Sequence, residues 1–252
     1  MIKSTEVFYF SPTGGTKKIA DAMAYALSEQ VSFVDLGKIE IPNATEDVVV
    51  IAAPVFGGRL PGIVPERLKN LDGQDKKAVT IVVYGVRAYE DALLELNDVV
   101  SECGFQIVAS AAMVARHSIA KAVGEGRPDE SDFAEIKGFA EKVLEKISTK
   151  SEFPVVVPGN TPYKDGMTVA VTPISVDSCS GCGACVEVCP TKAIAINADG
   201  KPETALEKCM MCMACAAHCP TDARILPPPV QQMMDEKLGA LREIRRANEF
   251  FC

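Results

Sequence analysis

The chain of 252 residues contains no tryptophan, only two histidines and 6% aromatic side chains, so an aromatic wall around a planar ligand has to come from Phe or Tyr. It also lacks a basic excess. Lys and Arg number 26 against 34 Asp and Glu, a net charge of -8, and both residues 1–150 and residues 151–252 are acidic, which removes the electrostatic footprint of a nucleic-acid binder. Long apolar runs are missing too: the longest, Val48 to Ala53 and Ala78 to Tyr84, fall far short of the roughly 20 residues a membrane helix needs. The opening MIKSTE has no basic-then-apolar signal character, so the expectation is a soluble, cytoplasmic protein. No tract of repeated letters is present, and 48% hydrophobic with 24% charged residues describes a folded chain. Its length is about 1.7 typical domains, enough for one large or two unequal cores.

Short apolar runs alternate with helical stretches from the start. Glu6 to Phe10 reads as a strand and Thr16 to Gln30 as a helix whose Ile19, Met23, Ala26 and Leu27 share a face. The alternation continues with strands at Val31 to Leu36, Asp47 to Ala53, Ala78 to Tyr84 and Gln106 to Ala115. Helices are expected near Pro61 to Leu71, Tyr89 to Cys103 and Ser131 to Ser148. Five strands with interleaved helices predict an α/β domain over 1–150, a doubly wound five-stranded parallel sheet. Residues 151–173, with four prolines and two glycines, read as a linker. Residues 174–229 hold two similar cysteine units, and 230–252 carries Val230, Met233, Met234, Leu238, Leu241 and Ile244 along one stripe of a terminal amphipathic helix docked on the protein surface.

Ten cysteines in a reducing compartment stay thiols, and eight of them lie between Cys179 and Cys219. Cys179, Cys182, Cys185 and Cys189 are followed by Pro190, and the same spacing recurs at Cys209, Cys212, Cys215 and Cys219 before Pro220. Three thiolates at two-residue gaps wrap one cubane while the fourth reaches the other cluster. Cys179, Cys182, Cys185 and Cys219 are therefore expected on one 4Fe-4S cluster, and Cys209, Cys212, Cys215 and Cys189 on a second. Zinc, the alternative, asks for two C-x-x-C pairs with a longer insert. Over 174–229 the chain resembles bacterial two-cluster ferredoxins, which implies one-electron transfer at low potential. Gly181, Gly183, Ala184 and Ala214 are small enough for amides to approach cluster sulfurs, and His218 reads as a surface or supporting residue.

After the first strand, Ser11-Pro12-Thr13-Gly14-Gly15-Thr16-Lys17 opens the first helix. Three hydroxyls and free amides at the positive end of a helix suit a phosphate. Neither the P-loop pattern nor the dinucleotide fingerprint is present, and Asp35 is left as a strand-end residue. This loop resembles that of flavodoxins, which implies FMN. In a sheet of order 2-1-3-4-5, the loops Pro54-Val55-Phe56-Gly57-Gly58-Arg59 and Tyr84-Gly85-Val86-Arg87-Ala88-Tyr89-Glu90-Asp91 converge with it at the switch point. The resemblance implies ring-edge contacts from Gly57, Gly58 and Gly85 and a stacking Phe56 or Tyr89; the lack of Trp departs from the flavodoxin pattern, and one flavin face is expected to be open.

Over nearly its full length the chain resembles the flavodoxin-ferredoxin fusion proteins of anaerobes. That implies an iron-sulfur flavoprotein passing electrons between two 4Fe-4S clusters, FMN and redox partner proteins. The rival is a ferredoxin-fed reductase of a small anionic substrate held by Arg59, Arg87, Arg116 or His117; the weaker third is a redox sensor acting through the terminal helix. His117 is read either as flavin-proximal or as a structural strand-end residue, Cys103 as a small core residue and Cys252 as a terminal thiol. Arg59, Arg87, Arg116 and Lys121 are expected on the face against which the acidic cysteine domain docks.

Overall fold

The computed structural model describes residues 1–149 and 154–252; the first three residues of the expected linker lie outside the described residues. Five parallel strands, β1 (Ile2–Tyr9), β2 (Ser28–Asp35), β3 (Val48–Pro54), β4 (Lys77–Tyr84) and β5 (Gln106–Val114), pair in the order 2-1-3-4-5. β3 and β4 are buried along almost their whole length, which is why each reads as an unbroken apolar run rather than an alternating one.

Helices cover both faces. α1 (Gly15–Leu27) and α4 (Glu130–Thr149) pack Ile19, Met23, Leu27, Phe139 and Val143 against Val7, Val50, Ile81 and Met113. α2 (Ile63–Leu68) and α3 (Ala92–Glu102) pack Val64, Leu68, Leu93 and Leu96 against Phe8, Ile51 and Val82 on the other face. α1 stops three residues short of the expected end because Ser28 is already extended and begins pairing with Ile2.

The cysteine units are held by two small ribbons. β6 (Ile174–Ser175) pairs with β9 (Arg224–Ile225), and β7 (Ile194–Ile196) pairs with β8 (Pro202–Thr204), around the one-turn helices α5 (Ala184–Glu187) and α6 (Ala214–Ala217).

The terminal helix does not run to residue 252. α7 (Pro228–Leu238) docks as expected, burying Leu238 and packing Met234, but a 3-10 turn follows at Gly239–Leu241 and the chain ends in β10 (Glu249–Phe251). β10 adds antiparallel to β5, making the sheet six-stranded and mostly parallel. The reason is local: Ile244 is exposed, whereas Phe250 finds the ring of Phe139 at 4.7 Å and Phe251 packs on the opposite core, so alternation wins over the helical stripe. Residues 154–173 run as a strap over α3, with Val157 packed into the core and Gly159 against Leu94.

Candidate functional site

At the C-terminal ends of β1, β3, β4 and β5, loops 12–16, 54–58, 84–88 and 115–118 line a solvent-open cleft. Gly14 turns the first loop in the left-handed region, at φ 89°, so that α1 points its first turn at the cleft. Lys17 N–H donates to Ser11 Oγ at 2.9 Å and Gly14 N–H to the Ser11 carbonyl at 3.3 Å. The amides of Thr13, Gly15 and Thr16 are left without an acceptor among the described residues, as an anion site at a helix N-terminus requires. These orphaned donors fit the phosphate of a flavin mononucleotide.

Phe56, Gly57, Gly58, Tyr84 and Gly85 line the same cleft. A Cβ at Gly85 would meet the His117 ring at 2.5 Å, so glycine is what lets the imidazole lie on this loop. His117 Nδ1 accepts from the amides of Ile119 and Ala120 at 3.1 and 3.0 Å, which puts the ring proton on Nε2. Burial, reinforced by the positive charge of Arg87, holds the ring below the usual histidine value and therefore neutral. The wall of the cleft is completed from the other domain by Cys212.

All ten cysteines are free thiols. The fourth cysteine of each unit is held alike: Ala193 N–H points at Cys189 Sγ and Ala223 N–H at Cys219 Sγ, both at 3.2 Å, with Thr191 and Thr221 hydroxyls 3.7 Å away. Burial, with the charges of Cys215, Cys189 and Cys209 added, pushes the Cys212 thiol up to about 12. The charge of Cys189 is felt at Cys209 and Cys215 as well. Thiols packed this way become thiolates only around a strongly positive centre, which iron supplies. Cys185 feels Cys179 in the same manner.

A family model for a flavodoxin domain matches residues 6–94, and one for a 4Fe-4S dicluster domain matches residues 178–223. The chain therefore joins a flavodoxin domain to a 4Fe-4S dicluster domain in one fusion. Its ferredoxin half is 53% identical over 30 residues to a probable ferredoxin of Methanosarcina thermophila, a match covering 12% of this chain and 52% of that protein. The chain thus spans about half the length of the curated relative it matches. Among solved structures, the rubredoxin oxygen:oxidoreductase of Desulfovibrio gigas aligns at TM-score 0.43 and 16% identity over 58% of this chain and 36% of that one. The Streptococcus pneumonia TIGR4 flavodoxin aligns at 0.43 and 19% over 57% and 99%, and Flavodoxin 2 of Bacillus cereus at 0.42 and 18% over 57% and 99%. The two matched domains are those of an iron-sulfur flavoprotein. Its flavodoxin domain implies FMN and its dicluster domain 4Fe-4S chemistry. No helix among the described residues is long and apolar enough to cross a membrane.

Within the fusion, the cleft gathers Thr13, Gly15, Thr16, Pro54, Val55, Phe56, Gly57, Gly58, Tyr84, Gly85, Arg87, Arg116 and His117 from the residues expected there. Ser11 and Gly14 shape the loop from behind. Four expectations are corrected. Lys17 turns away to Asp21, at 2.7 Å, and lies over the Phe33 ring. Tyr89 is buried edge-on against Tyr84 and donates to Glu249 at 2.8 Å, so it offers no stacking face. Asp91 accepts from the Asn160 and Lys164 amides of the strap, at 2.9 and 2.8 Å. Arg59 is clamped by both oxygens of Glu95 at 2.8 Å and sits over Tyr163, leaving no fork for a substrate or for docking. His218 holds the Ala214 carbonyl through Nδ1, as a supporting residue would. Cys212 on the cleft wall and Met167 against Gly57 had no signal in the sequence, since both depend on how the second domain and the strap lie.

Proposed function

We propose that the fusion is an internal electron relay in which FMN bound in the cleft exchanges electrons with two 4Fe-4S clusters, the nearer held by Cys209, Cys212, Cys215 and Cys189. The observation that carries this reading is Cys212 on the cleft wall, where a cluster ligand and the flavin site share one surface. FMN converts between one-electron and two-electron exchange, and each cluster passes one electron.

The chain's own residues do the rest. The amides of Thr13, Gly15 and Thr16, with the hydroxyls of the two threonines, would hold the phosphate; Phe56 would offer the ring an aromatic face, and Gly57 and Gly85 would let backbone approach it. His117, held neutral with its ring proton on Nε2, would offer that N–H to an acceptor in the cleft, so it orients rather than supplies a proton. Cys182 is exposed while Cys212 faces the flavin site, which supports the cluster of Cys179, Cys182, Cys185 and Cys219 as the one that meets the redox partner.

Anaerobically purified protein is expected to carry about eight irons with matching sulfide and one FMN. Bound zinc without sulfide sinks the proposal. Cys189→Ala is expected to abolish the cluster of Cys209, Cys212 and Cys215, not that of its own unit, as read by EPR.

A second reading has one observation in its favour. Beside the cleft lies a cavity of about 1010 Å³ between the phosphate loop and α6, lined by Lys18, Arg116, Lys121 and Arg127 with no carboxylate among its lining residues. Arg127 is paired with Asp132 and Arg116 with Glu125, but Lys18 and Lys121 suit a small anion, the acceptor of a reductase. Turnover with small oxyanions that falls in a Lys18→Ala/Lys121→Ala variant favours the reductase; absence of turnover leaves the relay.

A further inference from the structure

Arg224 is 3% exposed, yet no carboxylate pairs with it among the described residues. Its guanidinium donates to Ser175 Oγ at 3.0 Å, the Pro173 carbonyl at 2.8 Å and Thr204 Oγ1 at 2.6 Å, all neutral acceptors. Its buried Nε–H has no acceptor. Asp177 and Glu203 border the same small surface cavity without forming an ion pair with it. A cation taken out of water is strongly unfavourable unless an anion pairs with it, and no carboxylate among the described residues does so.

The internal repeat makes the position stand out. Ala193 and Ala223 occupy equivalent places, each donating to the fourth cysteine of its unit. The next residue is Ile194 in the first unit, packed between Cys185 and Cys215, and Arg224 in the second. The fold therefore accepts an apolar residue at this step, and the arginine is not demanded by packing. Its charge is felt at Cys215 and Cys209 of one ligand set and at Cys185 of the other.

Resting on the reading that the eight cysteines hold two clusters, we propose that Arg224 is their shared counter-cation: its buried, carboxylate-free guanidinium offsets the negative charge each cluster gains with an added electron and raises both midpoint potentials. One electron added to a cluster adds one negative charge, and a fixed positive charge in a poorly solvated site stabilises the reduced state more than the oxidised one.

The test is an EPR-monitored redox titration of the intact protein carrying its clusters and flavin, with Arg224→Lys, Arg224→Gln and Arg224→Ile. Gln and Ile are expected to move both cluster potentials negative, by the same amount at low and high salt because the charge is buried, while Lys stays near wild type. Unchanged potentials in Gln and Ile overturn the proposal, and a shift confined to one cluster overturns the sharing. Where a variant does not assemble clusters, iron retained in Lys but lost in Gln and Ile supports the charge requirement, and loss in all three overturns it in favour of shape. A wild type with too little iron and sulfide for two clusters defeats the underlying reading instead, and is seen before any variant is made.

Discussion

Thr13 and Thr16 flank amides that have no partner within the protein, so their hydroxyls add to a site already short of an anion. Changing both to Ala is expected to weaken FMN binding by about 1–3 kcal/mol per lost charge-assisted hydrogen bond, with iron content unchanged. Fluorescence titration with FMN checks it, and unaltered affinity removes the phosphate assignment. His117 carries a prediction about pH. Its native ring is held neutral while a histidine in an unfolded chain titrates near 6.5, so acid favours unfolding. The stabilisation from the neutral ring is full above about pH 6.5 and is lost as the pH falls through the lower native value. Protonating Nδ1 would also break both amide contacts. Denaturant unfolding at pH 7 and pH 5 should therefore show the wild type losing more stability than His117→Gln over that interval; equal losses would put the proton elsewhere.

Among the elements, β10 is short, yet much of the last segment converges on one side chain. Asn248 Nδ2 donates to Asp132 at 2.8 Å and to Glu135 at 2.6 Å, and its Oδ1 accepts from the Val114 amide at 2.9 Å. Asn248→Ala takes the acceptor from the Val114 amide, while Asp132 keeps Arg127, and is expected to cost about 1–3 kcal/mol in denaturant unfolding of the flavodoxin domain. A change within error would mean that water replaces the side chain without penalty. The helices and the five parallel strands were legible because each carries its own period, and the flavin loops follow from that order. β10 was not, because Glu249, Phe250 and Phe251 acquire meaning only beside Ser110, Ala111 and Ala112, far back in the chain. Three of the four misplaced site residues share that cause: Tyr89 is taken by Glu249, Arg59 by Glu95 and Asp91 by the strap, partners that spacing along the chain does not reveal, whereas Lys17 is taken by Asp21 one turn on. The dicluster domain was the most legible part, since its cysteine motif is written in local spacing, repeated twice.

At the scale of the molecule, the two halves touch where the relay needs them to. Ile119 of the flavodoxin half, Met213 and Leu226 of the ferredoxin half form a small apolar cluster, with Val171 of the strap and Val230 of α7 packed on it. The contact is small, and the linkage keeps the effective concentration of one half near the other high. Rapid reduction of the clusters in the intact chain should then reduce the flavin at a rate independent of protein concentration, whereas separated halves should show a rate that rises with concentration. A concentration-dependent rate in the intact chain would mean transfer between molecules. The strand β10 gives this arrangement a further property. Because the chain leaves the flavodoxin sheet after α4 and returns to its edge at the far end, the ferredoxin half is an excursion fastened at both ends. A single proteolytic cut between the halves, at the strap, would not release it: the nicked fragments should still migrate together, with flavin and iron in one peak, until the final strand is removed as well.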